Sequence, residues 1–122
     1  MSYLDSFVVP VKRADLETYR QVASEMAQLW RELGALSVTE AVGDGLAWGQ
    51  ITSFPRAVQA GEDEVVVVAT MTFLNKAHKE AVTAAAFADA RMLACMERTP
   101  VDGARMIWGG FDIIVNERSP RV

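Results

Sequence analysis

The chain has 122 residues, 51% hydrophobic and 23% charged. That is enough to bury one core and too apolar for an intrinsically disordered chain. Twelve Lys and Arg stand against sixteen Asp and Glu, a formal net charge of −4, which argues against a nucleic-acid partner.

Tyr3 to Val11 reads as a strand ending near Pro10. Tyr3, Asp5, Phe7, Val9 and Val11 share one face, and Leu4, Ser6 and Val8 the other. Asp15 is placed to cap a helix, with Glu17 in its first turn. Leu16, Tyr19, Ala23, Met26, Ala27, Trp30 and Leu33 follow helical spacing, and Gly34 closes the helix.

Ala35 to Val42 is a second expected strand, ended by Gly43-Asp44-Gly45. Trp48 to Phe54 is expected to add a short extended piece, since Pro55 disfavours helical backbone at Phe54. Arg56 to Asp63 is a polar connection. Glu64 to Leu74 is the strongest strand, with neither face charged after Glu64, so burial is expected on both. Asn75 caps a helix through the alanine-rich stretch to about Ala88, and Arg91 to Met96 is a further helical piece. Arg105 to Val115 is the last expected strand, in which Gly109-Gly110 marks a bulge or a close backbone approach. Residues 116–122 are expected to form a mobile polar tail.

The order strand, helix, strand, strand, helix, strand is that of a ferredoxin-like α+β fold, a βαββαβ chain forming one domain over residues 1–122. Its antiparallel sheet would carry two main helices on one face. Mean hydropathy is +0.12, high for a chain this small. The helix-free face would therefore pack on a second copy as a dimeric α/β barrel, or be covered by residues 43–63.

Cys95 is the one cysteine, which excludes an intramolecular disulfide and a Cys-based zinc site. Neither a metal nor a cofactor is expected. The start, MSYLDSFVVPVKRADL, is a poor signal peptide. The longest apolar run, Val65 to Leu74, covers about half a membrane span. A cytoplasmic location without membrane contact is expected.

The stretches SYLDSFVVPV, ITSFPRAV, NKAHKEAV and DGARMIWGGFDIIV, in that order, resemble the YbaA-like family, small bacterial proteins of unassigned function. The resemblance runs from about Tyr3 to Val115. It implies a ferredoxin-like fold and a homodimer, and it brings no catalytic residues with it. Trp108 stands where the resemblance leads one to expect Tyr. Ala88-Asp89-Ala90-Arg91 lacks a proline after the aspartate, which should let the second helix run on.

Six residues are candidates for a pocket. Asp5 and Glu40 each interrupt an otherwise apolar or small strand face. Such a carboxylate is paired, here with Arg56 or Arg105, or it is a pocket acid. His78, the single histidine, lies in a helix first turn, which favours the neutral ring. It is a proton acceptor or an ordinary histidine bonded to its surroundings. Arg56, after Ser53-Phe54-Pro55, could hold a ligand carboxylate or phosphate, or lock its loop. Trp48 and Trp108 would wall a pocket or an interface. Cys95 reads as a buried, inert thiol.

Two functions remain open. One is small-molecule binding in the cleft between sheet and helices, extending to cofactor-free catalysis on the analogy of related dimeric barrels. The other is a non-catalytic dimeric module used in regulation or stress response.

Overall fold

The computed structural model describes residues 2–121; Met1 and Val122, the ends of the expected domain and tail, lie outside the described residues. Strand β1 is Tyr3–Lys12, helix α1 Leu16–Leu33, strand β2 Ser37–Val42 and the short helix α2 Phe54–Ala57. Strand β3 is Glu64–Phe73, helix α3 Lys76–Phe87, helix α4 Ala90–Arg98 and strand β4 Ile107–Asp112. The sheet order is β2-β3-β1-β4, antiparallel throughout.

β1 runs two residues past Pro10. The carbonyl of Val66 accepts from Gly43 N–H, so Val66 turns its backbone groups toward β2. Its partner Pro10 therefore turns its own away from β3, to the side where β4 pairing has stopped at Val8. The missing N–H breaks no ladder there.

Asp15 does not cap α1 with its side chain. The chain enters through a 3₁₀ turn at Arg13–Asp15, and Asp15 itself has helical backbone. At the other end Gly34 has φ 128°, and a Cβ there would meet Val82 Cγ2 at 2.9 Å. Both the backbone angle and the space call for glycine.

The expected extended piece at Trp48–Phe54 is absent, and Phe54 opens α2 instead. Ser53 Oγ accepts from Arg56 N–H at 3.1 Å, and Pro55 occupies the first turn, where its missing N–H is harmless. The cap and the favoured proline position outweigh the restriction on the residue before proline.

Asn75 accepts from His78 N–H at 2.8 Å and starts α3. The helix does not run on through residues 88–91. Asp89 accepts from Arg91 N–H at 2.8 Å and begins α4 as a separate helix. The fold thus has a third main helix beyond the two expected.

β4 is shorter than expected, and it contains no bulge. Ile107 to Asp112 pair one-to-one with Val8 to Tyr3. Gly110 is a close approach: a Cβ there would lie 2.2 Å from the Tyr3 hydroxyl oxygen and 2.8 Å from Tyr3 Cζ. Gly110→Ala should therefore cost about 1–2 kcal/mol in denaturant unfolding, by displacing a buried ring. Gly109→Ala, whose Cβ would meet Phe111 at an ordinary 3.6 Å, should leave the midpoint nearly unchanged.

The helix-side core has two clusters. One joins Tyr3, Phe73 and Ala35 to Trp30, Val82, Ala86 and Met92. The other joins Val9, Val11 and Val67 to Tyr19. The opposite sheet face is not buried throughout, as the β3 pattern had suggested. Val58 and Ala60, from the segment between β2 and β3, cover Val8 and Val66, whereas Val68 is 37% exposed. Residues 43–63 thus cover one end of this face only.

Candidate functional site

Two rows of side chains cross the helix-side face of the sheet. Glu40, Ala69, Phe7 and Trp108 are successive partners across all four strands. Val38, Met71, Asp5 and Gly110 form the adjacent row. Period-two alternation puts Asp5, Glu40 and Trp108 on one face. The structure does bring these three candidates to one surface, between the two apolar clusters.

Glu40 accepts a hydrogen bond from the Tyr19 hydroxyl, which reaches down from α1. It forms no ion pair among the described residues, and neither Arg56 nor Arg105 is its partner. Burial pushes its carboxyl above the ordinary range, while the Tyr19 hydrogen bond pulls the other way. Burial, and then the neighbouring Glu40, push the Tyr19 phenol up as well.

Asp5 pairs with Lys79 Nζ of α3 at 3.7 Å, again not with Arg56 or Arg105. Burial raises its carboxyl, with Lys79 opposing. Gly110 opposite Asp5 carries no side chain, and the Tyr3 ring lies over it. One turn beyond Lys79, the Thr83 hydroxyl is buried without a hydrogen-bond partner.

His78 stands apart from this surface. Its Nδ1 accepts from Leu74 N–H at 3.0 Å, and its ring meets Phe73 edge-on with centroids 5.7 Å apart. The proton-accepting nitrogen is engaged by the backbone.

Arg56 and Trp48 come together elsewhere, in the 43–63 segment. The Arg56 guanidinium donates to the carbonyls of Trp48 and Gly49, each at 2.8 Å at its shortest, and lies 4.7 Å from the Trp48 ring centroid. It closes its own loop. Beside that loop is a groove of about 610 Å³ with Leu46, Trp48, Pro55, Ala60, Val65 and Val66 among its walls.

Arg105 has a structural partner of its own. Its guanidinium makes two hydrogen bonds to Glu64, each 2.7 Å, and one to Asp102 at 2.8 Å. The Arg105 hydrogen bonds hold the Glu64 carboxyl down at about 2. Cys95 is buried, under an Arg98–Glu25 ion pair of 2.5 Å rather than in wholly apolar surroundings. No group of three or more His, Cys, Asp or Glu among the described residues could hold a metal ion. No helix among them is long and apolar enough to cross a membrane.

Tyr19, Lys79 and Thr83 are the site residues that sequence reasoning passed over. Tyr19 carried a signal, a polar tip on an apolar helical stripe. Lys79 and Thr83 carried a weaker one, an i,i+4 polar pair in an alanine-rich helix.

A four-stranded antiparallel sheet in the order β2-β3-β1-β4, with α1, α3 and α4 on one face, defines an α+β protein of the ferredoxin-like class. More narrowly, the chain belongs to the family described as "Protein of unknown function (DUF1428)", which matches residues 2–103. It is similar to "Uncharacterized protein YbaA" of Escherichia coli (strain K12), 38% identical over 117 residues, 96% of this chain and 100% of that protein. The protein of the same description from Shigella flexneri matches with the same identity and coverage. The expected YbaA-like membership is thus confirmed. Among solved structures, the fold resembles SnoaB, a cofactor-independent oxygenase from Streptomyces nogalater, with TM-score 0.60 and 11% identity over 94% of this chain and 95% of that one. It also resembles a dimeric ferredoxin-like protein from an uncultured marine organism, with TM-score 0.60 and 12% identity over 96% and 100%.

Proposed function

We propose that this chain is a homodimeric small-molecule-binding domain whose ligand lies on the helix side of the sheet, between Glu40 and Asp5. The carrying observation is Glu40 itself: a half-buried carboxylate held by a phenol, with no cation against it among the described residues. Such a group costs stability, and groups of that kind concentrate where a ligand or a proton is handled. The ligand would be a small, largely apolar molecule, matched to Ala69, Phe7 and Trp108, with one hydrogen-bonding group for Glu40. Proton transfer at Glu40 is the chemistry the site could add, and a cofactor-independent oxygenase of similar fold fits that extension. The exposed half of the opposite face, around Val68 and Phe111, and a dimeric protein of similar fold support the homodimer.

The test is native mass spectrometry on protein purified without added ligand, beside Glu40→Gln. The expected result is a wild-type dimer with a small adduct that the variant lacks. A wild-type dimer that carries no adduct and gains none from a panel of phenols and quinones would overturn the binding reading. The variant should also be the more stable protein at neutral pH. A carboxyl raised in the folded state contributes stability that is complete below its unfolded value. It is lost as pH rises through the folded one. The glutamine keeps the acceptor for Tyr19 and has no charge to bury, so a gain of about 1 kcal/mol at pH 7, absent at pH 4, is expected.

A further inference from the structure

The segment that follows β4 opens with three apolar residues, Ile113 to Val115. Ile114 is 85% exposed and Val115 76%. Ile113 N–H still reaches the Ser2 carbonyl at 3.0 Å, so these residues leave the sheet at the end where Tyr3 pairs with Asp112. The groove beside residues 43–63 is at the opposite end, where Val65 pairs with Val11. Eight residues of strand separate the two ends, about 26 Å. Ile114 lies two residues beyond Asp112, a reach of about 7 Å, so the chain cannot lay it in its own groove.

We propose that, in the homodimer, Ile114 and Val115 of each protomer seat in the groove beside residues 43–63 of its partner. This inference rests on the homodimeric reading above. The fit is chemical as well as steric. Leu46, Trp48, Pro55 and Val66 offer apolar walls for two β-branched side chains, with Arg13, Glu62 and Glu64 also lining the groove. The tail that follows carries Arg118 and Arg121 against one acid, Glu117, whereas residues 43–63 carry Asp44, Glu62 and Asp63 against Arg56, itself engaged with the loop carbonyls. Opposite charges would meet if the tail ran along that segment. A two-fold axis crossing the strands sets each tail at the partner's groove end, and the exchange closes after two copies. Trp48 would then be walled in by a second chain.

The full-length chain tests this with two variants. Ile114→Asp changes a residue exposed in the protomer, so the protomer fold should be kept, as read by far-ultraviolet circular dichroism. The dimer dissociation constant, by sedimentation, should rise at least about tenfold. In a Cys95→Ser background, Leu46→Cys with Val115→Cys should form a covalent dimer on mild oxidation, and neither single cysteine variant should do so to the same extent. A wild-type chain that is monomeric at micromolar concentration would sink the homodimer and this inference together. A wild-type dimer with unchanged affinity in Ile114→Asp and no cross-link would overturn the tail exchange alone. A disulfide formed within one chain would also overturn it, since it would place the tail in its own groove.

Discussion

Phe73→Ala should destabilise the fold by about 4 kcal/mol in denaturant unfolding, the largest effect expected of any single truncation here. Phe73 is 0% exposed. It ends β3 opposite Tyr3 and belongs to the cluster that gathers Trp30, Val82, Ala86 and Met92. Sheet, α1, α3 and α4 therefore meet around this one ring. The cavity would border three helices and a strand, and close packing leaves them little freedom to collapse into it. Phe87, large but exposed, is the control, and Phe87→Ala should stay within about 0.5 kcal/mol of wild type. Equal losses at the two positions would contradict the assigned core.

Arg105→Ala should lower the unfolding midpoint clearly near neutral pH, and the loss should fade in acid. Glu64, its partner through two hydrogen bonds, has a side chain only 7% exposed. Removal of the guanidinium leaves a buried carboxylate whose other close donor is Gly61 N–H. The pH dependence has a definite sign. Glu64 is held at about 2, below the ordinary 4.5. Its contribution is therefore present above the unfolded value and lost as pH falls from 4.5 toward 2. Wild-type stability should drop through that window, and the variant should show a flatter profile. Asp5 and Glu40, raised by burial, act with the opposite sign, their contributions being lost as pH rises from the ordinary 3.8 and 4.5. An acid profile that Arg105→Ala leaves unchanged would mean that the pair contributes little.

The fold was legible wherever a local period or a local cap decides the outcome. Alternation in β1 and β3, the stripe of α1, and the Asn75 cap all follow from neighbours in sequence. What misled was composition without a partner. Ile113 to Val115 has the residues of a strand, but the ladder with β1 stops at Asp112, beyond which one hydrogen bond, from Ile113 N–H to the Ser2 carbonyl, remains among the described residues. One proline rule predicts extended backbone at Phe54, whereas the Ser53 cap makes the same proline a helix starter. The candidate site was half legible. Asp5 and Glu40 declared themselves as carboxylates on apolar faces. Their partners did not, because Tyr19 and Lys79 reach them from helices laid across the sheet, and that geometry is set by packing. Arg105 was weighed as a partner for either acid, yet Glu64 stands closer and accepts both arms of its fork.

The strand order also sets when the molecule can begin to exist. β1 and β2 are the first strands of the chain, and they are not neighbours in the sheet. Each waits for β3, which lies between them and whose last residue is Phe73. A chain emerging from the ribosome thus holds two strands and one amphipathic helix with no sheet to join until more than half of it is made. Tyr3 then closes on Phe73 and later on Asp112, contacts between residues far apart in sequence. Such non-local pairing slows folding and lengthens the time for which Phe7 to Val11 stays uncovered. For a protein this small, the vulnerable interval falls during synthesis, before β3 is complete, and early release of the chain would leave β1 and β2 without their shared partner.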